Sequence, residues 1–224
     1  RNVLEYKDGV SFFGSSSGWE NKVEMGKGRS AGIEFMAQKT AGKTTGWLSY
    51  TLSKSDRKFT KGGINNGEWF PYKYDRRHSI NLTINHKFSD RIDIGASWVF
   101  YTGGTSTIPE EKTTVIRPHN GANNGFLWYG TYDNTNSSPT IGDVSYIEHR
   151  NNFRLPASHR LNLGVNFNKK TKHGMRTWNI SLYNAYNAMN PAWVYRGHNK
   201  QGLSVIKKYT LLPLIPSFTY TYKF

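Results

Sequence analysis

The final eight residues alternate without a break. Ser217, Thr219, Thr221 and Lys223 fall on one side, and Phe218, Tyr220, Tyr222 and Phe224 on the other. A period of two is the signature of a β-strand, here with one polar and one aromatic face. The same two-sidedness recurs upstream. Residues 28–39 set Ile33, Phe35 and Ala37 against Glu34, Met36 and Gln38, and residues 46–59 set Leu48, Tyr50 and Leu52 against Ser49, Thr51, Ser53, Ser55 and Arg57. Within 73–88, Ile80, Leu82 and Ile84 oppose Ser79, Asn81, Thr83 and Asn85. Within 91–102, Ile92, Ile94, Ala96, Trp98 and Phe100 oppose Asp93, Gly95, Ser97 and Tyr101. Residues 158–168 and 175–187 repeat the pattern through Leu161, Leu163, Val165 and Phe167, then Trp178, Ile180 and Leu182. Seven strands are therefore predicted, preceded by a strand tail at 1–6.

The connections alternate as well. Tight turns are predicted near 41, 90 and 171, and long polar loops near 14, 65, 130 and 200; residues 203–211 of the last loop extend a strand. The stretch 103–157 reads as irregular. A soluble sandwich has no reason to keep every second connection short, and the polar faces lack the Val, Leu and Ile of a packed core. Strands of this length can span a bilayer, where about 9–11 tilted residues suffice. The predicted fold is all-β: a transmembrane antiparallel β-barrel segment with short periplasmic turns and long extracellular loops. Seven strands and a stub fit poorly with a complete bacterial barrel, whose strand number is even. Part of a larger barrel is expected.

Composition sharpens this picture. The chain has 224 residues and a mean hydropathy of −0.67, yet 15% are aromatic, more than a disordered chain would carry. No run of about 20 apolar residues exists for a membrane helix. Cysteine is absent, which excludes disulfides and thiolate metal sites. The net charge is +15, but Lys and Arg sit scattered in turns and strand ends rather than on one face. That distribution argues against nucleic acid as a partner and suits anionic head groups, including the phosphates of lipopolysaccharide. The sequence opens at Arg1 without an initiator Met or signal peptide, so either a cleaved export signal or an origin as a piece of a longer polypeptide is expected.

Several stretches resemble the C-terminal third of TonB-dependent outer-membrane transporters. They are Trp19-Glu20 with Gly26-Lys-Gly28-Arg-Ser30-Ala-Gly32-Ile-Glu34, then Gly46-Trp-Leu-Ser-Tyr-Thr-Leu-Ser53 and Phe70-Pro71 leading to Asp75-Arg-Arg-His78. Tyr183-Asn184-Ala-Tyr-Asn187 and the closing Pro213 to Phe224 complete the set. The resemblance implies that residues 1–224 are the last strands, about seven, of a 22-stranded barrel whose N-terminal plug and earlier strands lie outside this chain. It implies active uptake of a scarce nutrient across the bacterial outer membrane: a siderophore, haem, cobalamin, an oligosaccharide or a peptide. Partners would be outer-membrane lipid and lipopolysaccharide, the rest of the same transporter, TonB through the missing N-terminal part, and a surface lipoprotein. Phe218, Tyr220, Tyr222 and Phe224 resemble the signal read by the barrel-assembly machinery, beside a plainer role as lipid-facing girdle. A passive porin or structural adhesin barrel is the alternative function, and a barrel hydrolase a third class.

Candidate chemistry is sparse. Gly14-Ser-Ser-Ser-Gly18 matches G-x-S-x-G, but without the strand and helix of a nucleophile elbow. The seven histidines show no metal-ligand spacing; no catalytic residue, metal or cofactor is expected. His78 and His86 flank an apolar band and read as interfacial. Asp75 and Arg77 are expected on the lumen side and Arg76 and His78 toward head groups, in a rim of ion pairs. For ligand capture the long loop offers Trp128 and Tyr129 beside Arg117, His119, His149 and Arg150, where aromatic faces and polar groups converge.

Overall fold

The computed structural model describes residues 2–7, 18–117 and 140–224. Its strands are β1 (Asn2–Tyr6), β2 (Val23–Lys39), β3 (Thr44–Lys58), β4 (Phe70–Pro71) and β5 (His78–Lys87). Next come β6 (Ile92–Tyr101), β7 (Thr105–Ser106), β8 (Glu111–Arg117), β9 (Thr140–Tyr146) and β10 (Phe153–Arg154). The last five are β11 (Ser158–Thr171), β12 (Gly174–Tyr183), β13 (Pro191–His198), β14 (Ser204–Thr210) and β15 (Ile215–Lys223). Among the described residues there is no α-helix, and two single 3₁₀ turns at Trp19–Lys22 and Ile64–Gly67 are the only helical pieces. The chain is all-β.

Two compact units are separable. The smaller, Pro109–Glu148, contains the antiparallel β8–β9 hairpin. The larger holds the remaining elements, built on one antiparallel meander in the order β1-β2-β3-β5-β6-β11-β12-β15, with β4 added to β3. β7–β10 and β13–β14 form separate two-stranded sheets. Among the described residues β1 and β15 are open edges, and no closed barrel is present.

All seven strands predicted from alternation exist, and the tail at 1–6 is β1. Boundaries shift for local reasons. β5 starts at His78 rather than 73, because a turn closed by the Asp75 N–H donating to the Tyr72 carbonyl (2.8 Å) occupies the preceding residues. β12 stops at Tyr183 rather than 187, because Asn184 and Asn187 adopt left-handed backbone, φ 52° and 53°. β2 begins five residues early, where β1 pairs with it from Asn2↔Lys27 to Tyr6↔Val23. The stretch read as irregular, 103–157, contains β7 to β10, and β13 was missed as the partner of the 203–211 extension.

Register places the apolar positions on one face. Ile33 pairs with Leu52, Leu48 with Leu82, Leu82 with Trp98 and Trp98 with Leu161. The row continues through Leu163↔Leu182, Val165↔Ile180 and Ile180↔Phe218. The other face carries Ser49, Asn81, Ser97, Asn162, Asn166, Asn179 and Thr219. Substantial packing runs only between neighbouring strands, so among the described residues no second layer covers either face. Ile33 is 72% exposed and Phe218 65%. Among the described residues the buried hydrophobics are Phe59, Ile64, Phe70 and Ile108, and all four lie in the long connections.

Candidate functional site

The apolar face has sharp limits. On β2 and β3, Ile33 and Leu52 give way to Arg29, Lys54 and Asp56 on the same face, where Asp56 accepts from Arg29 at 2.9 Å and faces Lys54 at 3.4 Å. Rings sit where the apolar band ends on the long-loop side: Tyr50 Oη lies 2.9 Å from His78 Nδ1, and Tyr186 Oη 2.8 Å from His159 Nδ1 while accepting from Trp98 Nε1. Toward the short turns come His86 against Phe88 (4.4 Å between ring centres) and Trp178, stacked on Phe218 (5.0 Å) and tilted against Tyr220 (4.4 Å). From His159 to Lys169 the strand climbs about 33 Å. His78 and His86 thus bracket the band as the alternation implied. These two and His159 bond Tyr50, Thr44 and Tyr186 respectively; none of the three meets a serine.

Polar groups on the opposite face satisfy one another. Asp93 accepts from Asn166 and Asn168 Nδ2, both at 2.7 Å, while Thr177 donates to Asn168 and Asn179 to Asn166 at the same distance. Arg160 stacks over Tyr183 and donates to its hydroxyl.

Among the described residues, the buried side chains gather at the long-loop end. Phe59, Ile64 and Phe70 pack together against Val3. Gly26 is required beneath them, since a Cβ there would stand 2.5 Å from both the Phe59 ring and the Lys58 carbonyl. Asp75, 2% exposed, accepts from Arg154 Nη2 at 2.6 Å and from the Ser55 N–H at 2.7 Å, with Arg77 at 4.0 Å. The expected rim of ion pairs is therefore present, though Asp75 is buried in it. Arg76 leaves the alternation because it precedes the strand, and it stacks 3.9 Å over Tyr101, a residue of the polar face. Glu24 clamps the loop after β3, accepting from Thr60 N–H (3.0 Å), Thr60 Oγ1 (2.5 Å) and Ile64 N–H (3.2 Å). Partial burial pushes its carboxyl up, but these three bonds and the nearby Lys7 charge outweigh that and hold it below its ordinary value.

Of the residues proposed for ligand capture, His119, Trp128 and Tyr129 lie outside the described residues, as does the side chain of Arg117. His149 is exposed. Arg150 is tied into the cap: its N–H donates to Asn65 Oδ1 (2.7 Å), its carbonyl accepts from Asn65 Nδ2 (3.1 Å), and its guanidinium faces Glu5 at 3.9 Å. That is an architectural role. Sequence reading gave 203–211 as a strand but passed over β13 and with it the hairpin, where Trp193, Tyr195 and Tyr209 are each about half exposed. The available signal was the Trp193-Val-Tyr195 alternation, which mirrors Lys207-Lys-Tyr209 across the turn at Gly202.

No protein family, curated protein or solved structure matches this chain.

Proposed function

We propose that residues 1–224 form the C-terminal strands of a 22-stranded barrel in the bacterial outer membrane, part of a TonB-dependent transporter for a scarce nutrient. The observation that carries this reading is the sheet's sidedness. A continuous apolar and aromatic face is left uncovered by protein, while the other face hydrogen-bonds within itself. In lipid every backbone group must be paired and no strand edge can stay open, so the β1 and β15 edges would meet the earlier strands of the same barrel. The short connections (40–43, 88–91 and 172–173) all fall at one end of the meander and the long ones at the other, as periplasmic turns and outer loops do. The motif resemblance from Trp19 to Phe224 supports the narrower assignment to the TonB-dependent type. On this reading the exposed ring row Phe218, Tyr220, Tyr222 and Phe224 doubles as the assembly signal.

The native absence of cysteine makes the test clean. Leu163→Cys and Asn162→Cys are placed one at a time in protein reconstituted into liposomes and treated with a charged, water-soluble maleimide. Asn162→Cys should react and Leu163→Cys should stay protected until detergent is added; equal reactivity in the bilayer defeats the membrane reading. Import is separated from passive flow by nutrient uptake in cells de-energised with a proton ionophore. Uptake stops for an energised importer and continues through a pore.

A further inference from the structure

The β13–β14 hairpin carries a surface that the barrel reading does not use. On one of its faces Trp193 pairs with Tyr209, Tyr195 with Lys207 and Gly197 with Val205. The Trp193 and Tyr209 rings are parallel within 9°, their centres 4.3 Å apart. The Lys207 stem crosses Gly197: a Cβ built there would meet the Lys207 Cδ at 3.1 Å and the Tyr195 ring at 3.5 Å. The missing side chain at 197 leaves room for the Lys207 stem to cross beside the Tyr195 ring. On the other face Lys208 donates to the Met189 carbonyl and Arg196 to Ser204 Oγ, so those two cations are engaged within the loop.

Charge narrows the occupant. Residues 149–224 hold 12 of the 30 Lys and Arg and none of the 15 Asp and Glu. The hairpin itself carries Arg196, Lys200, Lys207, Lys208 and His198 without a single carboxylate. A neutral or cationic ligand gains nothing from such a field, whereas an anion does. Flat rings with a polar tip suit the C–H face of a pyranose, with Tyr hydroxyls left to bond its oxygens. The Trp193 and Tyr209 rings are 4.3 Å apart across the strands and Tyr195 lies two residues, about 7 Å, along β13, the reach of one or two sugar units. A nucleic acid strand would want a longer row of stacking rings along a backbone groove.

We propose that this hairpin face binds a free acidic oligosaccharide, one bearing uronate or sulfate groups. The Trp193–Tyr209 stack offers its outer faces and edges and Tyr195 a further ring, and Lys207 pairs with the anionic substituent. The proposal needs only the hairpin and stands whether or not the sheet is part of an importer.

The intact protein in detergent micelles is titrated calorimetrically with oligogalacturonate and with heparin oligosaccharides. Maltodextrin serves as the neutral sugar, oligothymidylate as the non-sugar anion, and lipopolysaccharide as the lipid-borne source. Acidic oligosaccharides should bind, and at least about tenfold more tightly than maltodextrin or oligothymidylate. The double variant W193A/Y209A should lose about tenfold or more. Lys207→Gln should lose about fivefold and flatten the salt dependence. Because Lys207→Gln removes no packing, its result stands even if the double variant disturbs the hairpin. Absence of heat with both acidic sugars, equal binding of maltodextrin or oligothymidylate, binding of lipopolysaccharide alone, or undiminished affinity in Lys207→Gln would each overturn the proposal.

Discussion

The capped end and the strand body of the large unit are held by opposite means. At the cap, residues that are far apart in sequence make a small interior: Phe59, Ile64 and Phe70 shut out water, and the buried Asp75 is matched by Arg154 and the Ser55 N–H. In the body there is no interior at all. Ile33, Phe35, Leu163, Ile180 and Phe218 stand uncovered on one face, and Asp93, Asn166, Asn168 and Asn179 bond each other on the other. The cap carries its own stability in its contacts. The body borrows stability from whatever bathes its apolar face, and so the same type of substitution has different consequences in the two places.

The largest effect is expected at the cap. Asp75→Ala leaves the Arg154 guanidinium facing a pocket without its carboxylate and strands the Ser55 N–H. Removing one partner of a buried pair costs about 3–5 kcal/mol, here at the low end, about 3, since Arg154 keeps the Asp75 and Gly103 carbonyls and is itself 37% exposed. The denaturation midpoint of the detergent-solubilised protein would drop accordingly, and D75A/R154A would recover part of the loss. A drop no larger than about 0.5 kcal/mol would mean that the cap is not held by this pair.

Next in size is Leu163→Lys in the body. A lysine at the midplane of a lipid-facing strand costs about 2–4 kcal/mol, whereas on a water-exposed surface it costs within about 0.5 kcal/mol. Asn81→Lys, on the polar face, should be nearly neutral in either setting. Folding yield into liposomes distinguishes the two: a selective loss for Leu163→Lys sharpens the contrast between faces, and equal yields erase it.

Third comes Asn184→Ala, at the junction of cap and body. Asn184 is 1% exposed; its Oδ1 accepts from the Ala188 N–H, and its Nδ2 donates to the Ala188 and Leu212 carbonyls. Removing those bonds costs about 2 kcal/mol, and alanine tolerates φ 52° less well than asparagine does. The expected readout is faster amide exchange across 184–190 and 212–214, with β11 unchanged.

The body was legible in the sequence and the cap was not, for a physical reason. A strand with one apolar and one polar face must alternate, so Leu161, Leu163 and Val165 advertise their face residue by residue. The cap's contacts follow no period. Nothing near Arg154 in sequence says that it will meet Asp75, and Gly26 shows its purpose only when Phe59 lies over it. The hairpin at 191–210 fell between the two cases. Its alternation is real but brief, and a register shift between Pro191 and Trp193 interrupts its start. The candidate ligand residues were drawn from the loop richest in aromatics, yet Arg150 turned out to hold Asn65 in place.

The smallest effect expected is a pH response confined to the cap. Glu24 lies on β2 beyond the apolar band, and its three bonds to Thr60 and Ile64 favour the ionised carboxylate. Its folded pKa is therefore below the ordinary 4.5. A lowered carboxylate pKa contributes stability that is fully present above the unfolded value and is lost as pH falls through the folded one. The clamp should thus be intact at neutral pH and release only below about 4.5, which amide exchange of residues 60–64 would follow. Glu24→Gln keeps an oxygen acceptor but has no proton to gain. It should loosen 60–64 modestly at every pH and abolish the acid step, while the ladder around Asp93 responds identically in both proteins. If the acid step survives Glu24→Gln, Glu24 does not govern the release of the cap.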